Sequence, residues 1–215
     1  MIKALNGVLI TIFLVGCSTG SEFRLVNLSE TKALVQNYYE SGDFEKETGE
    51  IFLNAVAEIE KLNPVNNPAV VFDIDETALS NYEHTKEIGF GYVPSLWHDW
   101  IIQGDAKAIP QSLKFYNYLI SKNVAIIFIT GRYEEAKKAT YNNLINEGYT
   151  VFDTLIVREK NEMKIPAAEF KALKRKELTD KGYNIIACVG DQWSDMVGGY
   201  AGIKIKLPNY LYTID

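Results

Sequence analysis

Five short apolar segments, separated by longer amphipathic ones, constrain the fold of this 215-residue chain more than any other feature. They cover residues 69–73, 124–130, 153–157, 185–191 and 203–207. The second and fourth are continuous apolar runs, which are typical of strands covered on both faces. The segments between them have helical patterns, such as the one that runs from Pro166 to Gly182. Strands that alternate with helices predict a three-layer α/β/α fold with a parallel sheet.

Two further parts of the chain flank or interrupt this pattern. Residues 29–62 predict two N-terminal helices that end before a proline. Residues 78–108 follow the first predicted strand, are rich in Tyr and Trp, and are too long for a bare loop. We therefore expect a small helical cap to be inserted there. The folded domain should span residues 29–207, with residues 208–215 as a C-terminal tail.

The first residues differ from the rest of the chain. The stretch "MIKALNGVLITIFLVGC" has one early lysine and then an uncharged apolar run that is short for a membrane span. This pattern predicts a signal peptide over residues 1–16, with a buried N-terminal helix as the alternative. "LVGC" resembles a bacterial lipobox, which implies that Cys17 is lipidated and becomes the mature N-terminus. Val15 is unusual in a lipobox, so an unlipidated signal peptide is the second alternative.

The location and partners of the protein follow from these features. Residues 17–28 predict a flexible tether between the anchor and the domain. A lipidated Cys17 would hold the protein in the cell envelope, at the outer membrane or cell surface. Without the lipid, the protein would be periplasmic. A net charge of −6 and the lack of a long basic run argue against nucleic-acid binding, and a homodimer is left open.

Polar side chains follow three of the predicted strands. They are Asp73, Asp75 and Thr77 after the first strand, Thr130, Gly131 and Arg132 after the second, and Asp191 and Asp195 after the fourth. Ligands bind beyond the carboxyl ends of strands in open parallel sheets. Four carboxylates there would repel one another, and a bound cation or a buried base is the usual remedy. Oxygen ligands without His or Cys favour Mg²⁺. Singly, Asp73 and Asp75 could cap a helix and Thr130 could bond its own backbone, but the shared positions favour a site.

The order of these motifs resembles that of the haloacid dehalogenase (HAD) superfamily. The chain has "DxDxT" after the first strand, a threonine after the second, a lysine before the fourth and "GDxxxD" after it. More narrowly, "FDIDETALSN", "FITGR", "FKALKRKELTDKGY" and "GDQWSD" resemble secreted acid phosphatases of classes B and C and the plant vegetative storage proteins. The resemblance covers about residues 30–207 and implies a HAD-like, Rossmann-like fold that hydrolyses small phosphomonoesters with Mg²⁺.

The same resemblance implies the chemical roles of five residues. Asp73 would be the nucleophile that forms an aspartyl-phosphate, and Asp75 would be the general acid and then the general base. The Thr130 hydroxyl and the Gly131 amide would hold phosphoryl oxygens. Lys171 would bind phosphate and neutralise the nucleophile. On this helix Lys174, Lys176 and Lys181 are alternatives, which we expect on a solvated face.

The implied metal site uses the Asp73 and Asp191 carboxylates and the Asp75 backbone carbonyl. Asp195 would act there through water or by orienting other groups, and Thr77 would shape the loop. These assignments follow from the resemblance to the family.

The substrate contacts beyond the phosphoryl group are less defined. Arg132 follows the threonine, and its role near the substrate is open. Trp97 and Trp100 in the cap could stack on the base of a nucleoside monophosphate, or they could only pack the cap onto the sheet. Asp75 argues against a dehalogenase and the retained Asp73 argues against a non-catalytic storage or binding protein. A phosphotransferase that uses the same intermediate remains an alternative.

Overall fold

The computed structural model describes residues 25–214, so the predicted signal peptide and Cys17 lie outside the described residues. The strands are β1 (Pro68–Phe72), β2 (Leu79–Ser80), β3 (Lys107–Ala108), β4 (Ala125–Tyr133), β5 (Thr154–Arg158), β6 (Asn184–Gly190) and β7 (Ile203–Lys206). The α-helices are α1 (Leu28–Glu40), α2 (Asp43–Ile59), α3 (Tyr82–Glu87), α4 (Pro94–Gln103), α5 (Pro110–Ser121), α6 (Lys137–Asn146) and α7 (Ala167–Asp180). Three short 3₁₀ turns cover Glu134–Ala136, Lys160–Glu162 and Trp193–Asp195.

The centre of the molecule is a five-stranded parallel sheet with the order β5-β4-β1-β6-β7. Alternate residues of β1 point to opposite faces. Val70 and Phe72 pack into one core with Phe52 of α2 and with α5, whereas Val71 packs into a second core with Phe170 of α7. Burial on both faces explains the continuous apolar runs. The predicted parallel α/β fold with N-terminal helices is thereby confirmed.

Residues 78–108, the predicted cap, contain α3 and α4. The short strands β2 and β3 pair in antiparallel fashion, with Leu79 opposite Ala108, and bring the two ends of the insertion together. Pro94 begins α4, and Gly104 ends it with a φ of 70°. The insertion therefore leaves and rejoins the fold next to the loop that follows β1. No helix within residues 25–214 is long and apolar enough to cross a membrane.

The predicted end of the second strand is wrong. We expected the strand to end at residue 130, but β4 continues to Tyr133, which pairs with Arg158 of β5. The pairing register shifts between Ile129 and Tyr133. Such an irregularity inserts residues into a strand and re-aims their side chains. Residues 130–132 therefore lie inside the strand, at this irregularity, and not in a loop after it.

Candidate active site

The loop that follows β1 is tightly folded and carries the two aspartates of the motif. The Asp73 amide continues the sheet by donating to the Val189 carbonyl at 2.9 Å. The Ile74 carbonyl then accepts hydrogen bonds from the amides of residues 77, 78 and 79. Glu76 has a φ of 53°, a left-handed conformation that is uncommon for a residue other than glycine. This turn separates the surroundings of Asp73 from those of Asp75.

We call the first group of charges the inner cluster; it consists of Asp73, Lys171, Asp191 and Asp195. All four residues are buried. The Lys171 ammonium donates to Asp73 at 2.6 Å and to Asp195 at 2.5 Å. Carboxylate oxygens of the three aspartates lie within 4.8 Å of one another. One lysine thus faces three buried acids, so the inner cluster has an excess of negative charge.

The electrostatics of the inner cluster fit a bound cation. Burial raises the pKa of Asp73 well above its usual range, against the effect of Lys171, and the other acids raise it further. Burial and Asp195 raise the pKa of Asp191 to about 6. Burial lowers the pKa of Lys171, but Asp195 and Asp73 outweigh it and raise that pKa overall. Hard oxygen ligands with uncompensated charge are what Mg²⁺ prefers, so the residues present fit this ion.

Asp195 is held in the inner cluster by its backbone as well as its side chain. Its carboxylate accepts from the Gln192 amide at 2.8 Å, and a Cβ at Gly190 would overlap it. Arg175, which is fully buried, donates to the carbonyls of Asp195 at 2.7 Å and Gly199 at 3.1 Å. The guanidinium therefore fixes the loop after β6. Sequence reasoning missed Arg175, and the only signal was its spacing of four residues from Lys171 on α7.

Thr77 contacts the inner cluster from the β1 loop. Its hydroxyl donates to Asp191 at 3.3 Å, and its backbone carbonyl accepts from the Ser112 hydroxyl at 2.5 Å. The residue is fully buried. Thr77 therefore links the loop, α5 and Asp191, which is consistent with the predicted role in shaping the loop.

We call the second group the outer cluster; it consists of Asp75, Glu76, Asn81 and Arg132. Arg132 donates to Asp75 through Nη2 at 2.7 Å and through Nε at 3.2 Å. Asn81 donates to Asp75 at 2.9 Å and also to Glu76. Burial and the Asp75 charge raise the pKa of Glu76 to about 8. Charge in this cluster is matched by the arginine and by amide groups, so it does not call for a metal ion.

The structure also places the remaining predicted residues. Thr130 is buried, and its hydroxyl oxygen accepts from the Arg132 amide at 3.2 Å, which leaves the hydroxyl hydrogen free to donate to a ligand. Gly131, one residue on, is exposed. Lys174, which we expected on a solvated face, is instead mostly buried and pairs with Glu162 at 2.6 Å. Lys176 is exposed, as expected, and pairs with Asp180.

The two cap tryptophans differ in their contacts. Trp100 donates its indole N–H to Asn81 at 2.8 Å and stacks on His84 with ring centroids 5.3 Å apart. Trp97 packs within the cap, with its ring 6.5 Å from that of Tyr92 and 6.0 Å from that of His84. Only the first of these tryptophans is thus joined to the outer cluster. Stacking on a nucleobase stays a prediction for both.

Comparisons with solved structures agree with this architecture. The class C acid phosphatase from Bacillus anthracis with tungstate bound superposes with a TM-score of 0.69 and 26% sequence identity, over 87% of this chain and 87% of that chain. A second structure of the same enzyme gives a TM-score of 0.70 and 25% identity, over 85% and 86% of the two chains.

Comparisons of sequence identify the family. The stem 28 kDa glycoprotein of Glycine max is 40% identical over 67% of this chain and 59% of its own length. Acid phosphatase 1 of Solanum lycopersicum is 32% identical over 67% and 58%, and vegetative storage protein 1 of Arabidopsis thaliana is 32% identical over 67% and 54%. The chain therefore spans less than two thirds of the length of these relatives. A family model described as "HAD superfamily, subfamily IIIB (Acid phosphatase)" matches residues 17–215, so the chain belongs to this family of acid phosphatases.

Proposed function

We propose that this protein is a Mg²⁺-dependent phosphomonoesterase that works through an aspartyl-phosphate on Asp73. The observation that carries the proposal is the 2.6 Å contact between Asp73 and Lys171 at the carboxyl end of β1. A buried acid beside a buried ammonium, with two further acids close by, is costly to fold and is typical of a functional site.

In the first half of the reaction, an Asp73 oxygen attacks phosphorus and the bond to the leaving oxygen breaks. Asp75 gives its proton to that oxygen, so the products are an alcohol and an aspartyl-phosphate. Arg132 contacts Asp75 at 2.7 Å and so stabilises the carboxylate that remains. The Thr130 hydroxyl, the Gly131 amide and the Lys171 ammonium hold the phosphoryl oxygens.

In the second half, Asp75 takes a proton from water, and the water oxygen attacks the phosphorus of the aspartyl-phosphate. Free phosphate leaves and the Asp73 carboxylate is restored. Asp75, whose side chain is 15% exposed, lies where water can reach it, whereas the Asp73 side chain is 8% exposed. This difference in exposure suits Asp75 to proton transfer and Asp73 to attack on a bound group.

The Asp73 and Asp191 carboxylates and the Asp75 backbone carbonyl would hold Mg²⁺. When bound, this ion neutralises charge on the acids and on the phosphoryl group. Asp195, which contacts Lys171 at 2.5 Å, orients the ammonium in the inner cluster. That the Bacillus anthracis relative was solved with tungstate, a tetrahedral oxyanion, supports an oxyanion site of this kind.

The test is hydrolysis of p-nitrophenyl phosphate by the purified protein with Mg²⁺, with EDTA, and after the substitution Asp73→Asn. We expect turnover with Mg²⁺, and loss of turnover with EDTA and in the variant. Equal rates under all three conditions would contradict the mechanism.

The same assay separates two alternatives. Some plant relatives are named vegetative storage proteins, and a storage protein would show no turnover even with Mg²⁺. A phosphotransferase would transfer phosphate to an added alcohol faster than to water. A panel of small phosphomonoesters, including nucleoside monophosphates, then gives the preferred leaving group.

We also propose that the protein is lipid-anchored at Cys17 in the cell envelope. The proposal rests on the "LVGC" pattern after a short apolar run. Mass spectrometry of the mature N-terminus tests it. A diacylglyceryl-modified cysteine is expected, and an unmodified cysteine would contradict the anchor.

A further inference from the structure

Residues 208–214, which we call the strap, do not extend away from the domain as a simple tail. They follow β7 and fold back onto the residues around the site. The Tyr210 ring packs on Tyr38 of α1 with centroids 4.8 Å apart. The Ile214 amide donates to the side chain of Gln192, the residue that follows Asp191, at 3.0 Å. The strap is therefore held at both ends.

Asn209 of the strap contacts an acid of the inner cluster. Its amide group donates to Asp191 Oδ2 at 2.7 Å, and Gln192 donates to the same oxygen at 2.6 Å. The other oxygen, Oδ1, accepts only the longer 3.3 Å bond from Thr77. Two amides thus occupy one oxygen of Asp191 and fix the rotation of the carboxylate, which leaves the other oxygen available to a cation.

The same asparagine also shapes the strap itself. Its side-chain oxygen accepts from the Leu211 amide at 2.7 Å and from the Tyr212 amide at 3.4 Å. This is the asparagine turn, in which the side chain bonds to its own backbone two residues on. The turn presents the Asn209 NH₂ group to Asp191 and directs the strap toward Glu76.

Tyr212 of the strap contacts the outer cluster. Its hydroxyl donates to Glu76 Oε2 at 2.6 Å. Glu76 in turn accepts from the Asn81 backbone amide at 2.6 Å, and Asn81 donates to Asp75 at 2.9 Å. A chain of three hydrogen bonds therefore joins the strap to the acid proposed for proton transfer.

We propose that two residues of the strap position groups of the active site: Asn209 positions the metal-binding carboxylate of Asp191, and Tyr212 positions the loop that carries Asp75. This inference rests on the proposed function and deepens it. Neither residue touches the reacting atoms. Partners of this kind that orient metal ligands usually matter for metal affinity, because a free carboxylate must lose rotational freedom when it binds.

The first test measures the Mg²⁺ dissociation constant of the full chain by calorimetry. For Asn209→Ala we expect a rise of about 10- to 100-fold, the usual effect of losing an outer partner of a metal ligand. Asn209→Ser keeps an oxygen that can hold the turn but is too short to reach Asp191, so the same rise is expected. Wild-type affinity in Asn209→Ser would show that only the turn matters and would overturn the role of Asn209.

The matched control is Asn143→Ala, which removes an asparagine side chain elsewhere in the fold. The Asn143 amide group donates to a backbone carbonyl at 2.8 Å, whereas that of Asn209 donates to a carboxylate. Asn143 is buried on α6 and bonds to Ala106 of the cap. We expect this variant to be less stable but to bind Mg²⁺ with a dissociation constant within about twofold of wild type. A weakening equal to that of Asn209→Ala would show that general destabilisation causes the effect and would overturn the inference.

The second test separates the two contacts of the strap. Tyr212→Phe should raise the Mg²⁺ dissociation constant less than Asn209→Ala does and should lower kcat by about three- to tenfold, since one hydrogen bond to the Asp75 loop is lost. Tyr210→Phe, in the same strap, is the control and should match the wild type in both the Mg²⁺ dissociation constant and kcat. Unchanged kcat in Tyr212→Phe would overturn the role of Tyr212.

The failure of this inference is distinct from failure of the proposed function. Mg²⁺ binding and turnover by the wild-type protein test the proposed function. The ratios of the dissociation constant and of kcat between each variant and the wild type test the role of the strap. Amide hydrogen exchange of residues 191–195 in EDTA needs neither metal nor turnover. Faster exchange in Asn209→Ala supports a strap that holds this loop, and unchanged exchange contradicts it.

Discussion

The inner and outer clusters contain the two aspartates of one short motif but balance their charge in different ways. In the inner cluster, Asp73 shares a single lysine with two other buried acids. In the outer cluster, Arg132 pairs with Asp75 and with no other acid of the described residues, and Asp75 accepts a further hydrogen bond from Asn81. One cluster has excess negative charge, and the other is balanced by its own residues.

Under the proposed function, this difference lets two identical side chains, two positions apart, take on different chemistry. An acid among like charges beside an ammonium suits attack on a phosphoryl group with a cation present. An acid near the surface can exchange a proton with a leaving group and with water, and its arginine partner stabilises the carboxylate that is left when the proton has been given. The left-handed turn at Glu76 separates the two environments, because it redirects the chain between them.

The largest expected effect comes from exchanging each aspartate in turn. Asp73→Asn should lower kcat by about 10⁴-fold or more with every substrate, as for loss of a nucleophile. Asp75→Asn should lower it by about 10²- to 10⁴-fold with an alkyl phosphate, which needs a proton on its leaving oxygen. With p-nitrophenyl phosphate, whose leaving group needs no proton, the first step should continue and phosphoenzyme should accumulate.

Rapid-quench labelling with p-nitrophenyl phosphate that carries a radioactive phosphoryl group measures that accumulation. We expect the Asp75→Asn protein to become labelled and the Asp73→Asn protein to remain unlabelled. Label on Asp73→Asn, or equal losses of activity in both variants with both substrates, would show that the two clusters do not divide the chemistry in this way.

The next effect tests the charge excess of the inner cluster. Lys171→Met should lower kcat by about 100-fold, because the donor that we propose for the phosphoryl oxygens is lost. Mg²⁺ affinity should not fall, since the ammonium competes with the ion for the same acids. Lys174→Met is the matched control on the same helix, because Lys174 pairs with Glu162 instead. Weaker Mg²⁺ binding in Lys171→Met than in the control would mean that the lysine supports the metal site.

The inner cluster could be predicted from sequence more fully than the outer one. Asp73 and Asp191 each directly follow a continuous apolar strand, and parallel strands bring such residues to one edge. Lys171 was found only through the resemblance, since its helix offers other lysines with the same local pattern. The contact between Arg132 and Asp75 joins residues 57 positions apart and depends on the irregularity in β4, which has no clear sequence signature.

The strap was missed for a similar reason. Residues 208–214 contain neither a strand nor a helix pattern, so sequence reasoning assigned them to a tail. Their contacts depend on side chains that meet across long separations, such as Tyr212 and Glu76, which are 136 positions apart. Polar contacts of this kind follow from the tertiary fold and leave no periodicity in the sequence.

A smaller effect concerns the pH dependence of stability in the outer cluster. The Glu76 pKa is raised from 4.5 to about 8, so between these values the folded protein holds a proton that the unfolded chain has lost. The free energy of unfolding should therefore fall as pH rises, by up to about 1.4 kcal/mol per pH unit from this group. Glu76→Gln removes this contribution and should flatten the curve.

Urea unfolding from pH 4.5 to 8 in EDTA measures the two curves. Because acids of the inner cluster add their own slope in both proteins, the difference between the curves isolates Glu76. Parallel curves would show that Glu76 does not hold a proton in the folded state.

The smallest expected effect tests how far the outer cluster extends into the cap. Trp100→Phe removes the indole donor that bonds to Asn81 at 2.8 Å, whereas Trp97→Phe changes a ring that packs within the cap. Since Asn81 also bonds to Asp75, we expect Trp100→Phe to lower kcat by about two- to fivefold and Trp97→Phe to leave it unchanged. Steady-state kinetics on an alkyl phosphate, where the proton from Asp75 matters most, gives the comparison. Equal kcat in both variants would show that the outer cluster ends at Asn81 and does not include Trp100. A change of KM in Trp97→Phe alone would instead show that the Trp97 ring contacts the leaving group.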